Sequence, residues 1–68
     1  MVEVFTIYCD RNPDIDDAVE LAAELNVRTG DASAVMGRDA IEVFIEDQQP
    51  DAILKQFKDA GFGVEERT

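Results

Sequence analysis

Val2-Glu3-Val4-Phe5-Thr6-Ile7-Tyr8-Cys9 is the stretch on which the fold turns. β-branched and aromatic residues fill it. Alternation sets Phe5, Ile7 and Cys9 on one face and Val4, Thr6 and Tyr8 on the other, the period-two pattern that predicts a central strand. Immediately downstream, Asn12 offers a capping side chain and Pro13 suits the first helical position. Ile15, Ala18, Val19, Ala22 and Leu25 then recur at helical spacing, which predicts a helix over 13–25.

The second half of the chain repeats the alternation of strand and helix. Ala32 to Met36 and Ala40 to Glu46 read as two short strands joined around Gly37-Arg38-Asp39, the chemistry of a hairpin turn. In the second of them Ile41, Val43 and Ile45 form one apolar face, alternating with Glu42, Phe44 and Glu46. Gln49 precedes Pro50 and is biased away from helical backbone, so a second helix starts at Pro50 and carries Ile53, Leu54, Phe57 and Ala60 inward. Gly61 ends it at a left-handed cap, and Phe62 to Glu65 gives a last short strand. The resulting order, β-α-β-β-α-β, is the ferredoxin-like split unit. It predicts an α+β domain over residues 1–68 with two helices on one face of a four-stranded antiparallel sheet.

Charge is the dominant chemical fact. Sixteen Asp and Glu oppose six Lys and Arg, and no His is present, giving a net charge of −10 on 68 residues. Self-repulsion of this size works against compactness, so the excess is expected to serve solvation, salt tolerance or a basic partner. With 46% hydrophobic residues in patterned runs, the chain does not match the disordered class, which combines high charge with low hydrophobicity. The single cysteine, Cys9, rules out an internal disulfide and makes a reducing cytoplasm sufficient. Neither a signal-like N-terminal pattern nor an apolar run of roughly 18 residues is present, so a soluble, untargeted protein is expected.

The segment Cys9-Asp10-Arg11-Asn12-Pro13 after the first strand, and Asp51 to Val64 (DAILKQFKDAGFGV) running through Ala-Gly-Phe into the last, resemble in layout the small regulatory ACT domains. The heavy-metal-associated domains of the same architecture are a less close likeness. ACT domains that bind amino acids carry a glycine after the proline of that first turn, where this chain has Asp14. The metal-carrying relatives use Cys-x-x-Cys, where this chain has Cys9 alone.

Several constellations have a chemical and a purely structural reading. On the first helix Asp16, Glu20 and Glu24 follow at i, i+4 and i+8, with Asp14 and Asp17 beside them and no Lys or Arg between. Carboxylates one turn apart stand about 6 Å apart along the axis, a coarser line of charge than the roughly 3.4 Å spacing of phosphates along a DNA strand. The first-turn acids gain from the helix macrodipole. Glu20 and Glu24 do not, and like charges at i, i+4 oppose each other. The second helix balances Asp51 and Asp59 against Lys55 and Lys58, so the chain does place lysines on helices. Asp10, Asn12, Asp14 and Asp16 alternate like the opening of a calcium loop, but Ile15 replaces its turn glycine and Leu21 its closing glutamate. Cys9 has no histidine to activate it and reads as a small buried hydrophobe. Ser33 is the only serine, no glycine-rich phosphate loop exists, and no catalytic, metal or cofactor set emerges.

These features predict a non-enzymatic binding protein whose Asp14, Asp16, Asp17, Glu20 and Glu24 occupy a basic, nucleic-acid-binding site on another protein. In size, charge and lack of catalytic groups the chain resembles small acidic inhibitors encoded by phages and mobile elements, including anti-CRISPR and anti-restriction proteins. That likeness implies competition with phosphate backbone, without direct contact to nucleic acid or membrane. A monomer is expected, or a homodimer through Val4, Tyr8 and Phe44 on the open sheet face. Two other classes fit the same composition: a stand-alone ACT-like ligand-sensing domain, and a housekeeping domain acidified for a salt-rich cell.

Overall fold

The computed structural model describes residues 2–9 and 14–67, with the backbone alone for 66 and 67. Its elements are β1 (Glu3–Cys9), α1 (Ile15–Glu24), β2 (Arg28–Asp31), β3 (Ala40–Ile45), α2 (Pro50–Asp59) and β4 (Phe62–Arg67). The four strands form one antiparallel sheet in the order β2-β3-β1-β4, the ferredoxin-like arrangement, with β1 and β3 inside and β2 and β4 at the edges.

The β1 side chains sort as their alternation predicts. Phe5 and Ile7 are buried beneath the helices, in one cluster with Val43, Ile45 and Ile41 of β3, Phe62 of β4, Ala18 and Ala22 of α1, and Ile53 and Phe57 of α2. Phe57 and Phe62 meet edge to face, ring centroids 6.1 Å apart. Small alanines on α1 let that helix lie close to the sheet, while α2 fills the other half with larger groups. Val19 faces outward, 42% exposed, because Ile15, Ala18, Ala22 and Leu25 already complete the inward stripe. Ala60 is likewise exposed, as the C-cap of α2 and not part of its inward face.

The helix ends show local chemistry at work. Asp14 has extended backbone and caps α1, its N–H donating to Asp17 Oδ2 at 3.1 Å. The cap thus lies at Asp14 and not at Asn12, which with Pro13 falls outside the described residues. The Asp17 carboxylate three residues into the helix satisfies the cap residue's own donor, half of an acidic capping box. At the other end Asn26 takes a left-handed conformation (φ 62°), its N–H donating to the Ala23 carbonyl and that of Val27 to the Ala22 carbonyl. That pair of bonds is a Schellman closure with asparagine in glycine's usual place, and it buries Val27. Pro50 begins α2 after an extended Gln49, and Gly61 (φ 99°) ends it as the sequence predicts.

The first strand of the hairpin departs from expectation. It is Arg28–Asp31 and not 32–36; its register pairs Arg28 with Phe44, Thr29 with Val43, Gly30 with Glu42 and Asp31 with Ile41. Residues 32–39 form the connection, closed at its tip by Val35 and Arg38, whose N–H groups donate to each other's carbonyls at 3.0 and 2.9 Å. Met36 and Gly37 are the two turn residues, both with positive φ (50° and 75°), the geometry of a type I′ turn. Alternation in Ala-Ser-Ala-Val-Met mimics a strand, but the pairing goes to a short polar segment. Gly30 permits this: a methyl there would come within 3.0 Å of the Phe44 ring.

On the face away from the helices, Tyr8 lies across Gly63 of β4, where a methyl group would overlap its ring. Phe44 lies against Gly30 and carries the Arg28 guanidinium 5.1 Å from its centroid. Between these aromatics sits Thr6, 1% exposed, with no hydrogen-bond partner for Oγ1. A buried hydroxyl without a partner costs about 1–3 kcal/mol of desolvation. Thr6→Val is therefore expected to raise stability by about 1 kcal/mol in urea melts, and a destabilised variant would show that the hydroxyl is satisfied in solution.

Candidate protein-interaction site

The outward face of α1 carries the residues singled out in the sequence. Asp16, Glu20 and Glu24 are exposed one turn apart, a ridge about 12 Å long, with Asp17, Val19 and Ala23 exposed beside it. The last turn of α1 has no basic residue, and Glu24 closes the helix at the negative end of its dipole. By contrast, α2 has Asp51 in its first turn and Lys58 in its last, the arrangement the macrodipole favours. On α1 the acids beyond the first turn stand where helix electrostatics disfavours them.

The five predicted residues divide into two groups. Asp14 and Asp17 serve the cap and face the end of β1, while Asp16, Glu20 and Glu24 make the ridge. Around Cys9 the structure gathers a further acidic group. The Cys9 N–H donates to the Asp39 carbonyl at 3.0 Å. Its thiol pKa is pushed up by burial first, then by the negative charges of Asp39, Asp14 and Asp17. Asp31 and Asp39 also line an open cleft with Ile15, Ala32 and Ile41. Sequence reading missed both aspartates as neighbours of the α1 N-terminus, since only the true β2 register brings the ends of the 32–39 connection there. No cluster of three or more Cys, Asp or Glu with metal-holding geometry occurs among the described residues.

The raised Cys9 pKa makes its thiolate scarce near neutrality, and the thiolate is the nucleophile. Alkylation by iodoacetamide at pH 8 is expected to be at least about threefold slower in the folded protein than in urea. The linkage has a definite sign. Because the folded thiol holds its proton to higher pH, its stabilising contribution is complete below the ordinary thiol value and is lost as pH rises through the folded one. Relative to Cys9→Ala, the native protein should lose stability as pH rises above the ordinary thiol value of about 8.5 and through the raised folded one. A flat difference across that range would contradict the assignment.

Val4, Tyr8 and Phe44 do share the face opposite the helices, as expected, but each is half-buried. Among the described residues the exposed large hydrophobics are Val2, Val19 and Met36. No helix among the described residues is long and apolar enough to cross a membrane. No protein-family model, curated protein or solved structure matches this chain.

Proposed function

We propose that this chain is a non-enzymatic binding protein that occupies a basic, nucleic-acid-binding site on another protein, its carboxylates standing in for phosphates. The reading rests chiefly on α1. A net charge of −10 could be spread indifferently, yet α2 balances its acid with a lysine along the helix dipole, while α1 continues past its favoured first-turn acids into exposed Glu20 and Glu24, with no lysine and with Glu24 at the disfavoured end. Such a ridge costs stability without a partner and is compensated when it meets one. Asp16, Glu20 and Glu24 supply the main contact, Asp14 and Asp17 the flank nearest the cap. In this reading the protein acts by competition, as anti-CRISPR and anti-restriction inhibitors of similar charge do.

The test is capture from a nucleic-acid-free lysate on immobilised protein, eluted with a salt series. A basic nucleic-acid-binding protein should be retained at about 0.15 M ionic strength and released well below 1 M, and its binding to a labelled oligonucleotide should fall as the acidic protein is added. A captured protein that holds its oligonucleotide undiminished would refute the competition. Unfolding in dilute buffer with recovery in molar potassium chloride would point instead to salt adaptation.

A further inference from the structure

The open face of the sheet holds a second feature, separate from α1. The β1 registers place Glu42 of β3 and Glu65 of β4 directly opposite Thr6, one on each side. All three side chains project away from the helices, because Phe5 and Ile7 project toward them. Thr6 is 1% exposed and its Oγ1 is unpartnered, whereas Glu42 is half-buried and Glu65 exposed. An orphaned hydroxyl thus lies between two acidic side chains, in a row offering hydrogen-bond acceptors and needing donors.

We propose that this row is a seat for an arginine side chain of a partner protein, its guanidinium lying over Thr6 between the Glu42 and Glu65 carboxylates. The dimensions favour that ligand. Flanking strands lie roughly 9–10 Å apart across the central one, whereas a single divalent cation draws opposed oxygens to about 5 Å. A guanidinium is flat, always charged and donates from both edges. Standing edge-on to the sheet, it can address a carboxylate on each side with its in-plane N–H groups and reach Oγ1 once the side chains that cover Thr6 part, since that hydroxyl is buried in the unbound protein. The same face already accommodates one guanidinium, that of Arg28 over the Phe44 ring. Tyr8 and Phe44 lean outward onto Gly63 and Gly30, which places no aromatic ring between the two glutamates by register. The seat depends on the basic-partner reading only for the source of the arginine, and its test needs no partner.

Titration with Nα-acetyl-arginine amide, followed by amide chemical shifts, is expected to give saturable changes centred on Thr6, Glu42 and Glu65. Nα-acetyl-lysine amide should bind several-fold more weakly. Glu42→Gln and Glu65→Gln should each weaken the arginine probe by about tenfold or to undetectable. Thr6→Val, which keeps the fold, should weaken it measurably, and Glu20→Gln/Glu24→Gln should leave it unchanged. Non-saturating shifts spread equally over α1 and the sheet would overturn the seat. So would a curve indifferent to Glu42→Gln and Glu65→Gln, or saturable binding of calcium chloride at these residues where the arginine probe has none. Because α1 variants are silent here, failure of the seat and failure of the competition are separately visible.

Discussion

Phe57→Ala is expected to abolish cooperative unfolding at 25 °C. Phe57 is completely buried at the centre of α2, packed edge to face on Phe62, so its truncation removes a large apolar surface and an aromatic pair together. Such a change costs about 3–5 kcal/mol. A chain of this length has on the order of 3–10 kcal/mol in total, and the charge excess places this one toward the lower end. Circular dichroism during urea titration should show a broad, non-cooperative loss of helix. Leu54→Ala, at a half-buried position of the same helix, should keep a sigmoidal transition with a lower midpoint. A Phe57→Ala protein with a sharp transition near the native midpoint would mean that α2 contributes far less to the core than its burial indicates.

Glu20→Lys/Glu24→Lys is expected to weaken partner binding by about a hundredfold, taking roughly tenfold per reversed charge. Each reversal removes one negative and adds one positive charge, so the pair takes the net charge from −10 to −6. The fold should tolerate this easily. Both positions are exposed. The first new ammonium would stand one turn after Asp16, and the second would meet the helix C-terminus with the favoured sign, gaining a few tenths of a kcal/mol apiece. Higher stability with lost binding is an outcome that a merely solvated face does not produce. Partner affinity unchanged at about 0.1 M salt would remove α1 from the contact.

The fold was largely legible because its long-range partners carry strong local patterns. β1, β3, α2 and the stop at Gly61 follow from alternation, a proline after an extended residue, and a glycine at positive φ. β2 was not legible for a physical reason. Arg28-Thr29-Gly30-Asp31 is an edge strand with no buried side chain, so no apolar alternation marks it, and its position is fixed by β3 and by the Phe44 ring over Gly30. The α1 ridge could be read from spacing alone, since i, i+4 carboxylates share a face wherever the helix lies. The row of Glu42, Thr6 and Glu65 could not. A threonine in a central strand is unremarked until the register shows what stands on both sides of it.

The chain contains one tyrosine and no tryptophan, so its fluorescence, when excited at wavelengths that phenylalanine does not absorb, issues from a single ring. That ring rests on Gly63, on the side of the sheet turned away from α1. The protein therefore carries an optical label that needs no chemistry to install. A molecule settling on the strands will quench or brighten the emission, and one gripping only the helical ridge will leave the light as it was.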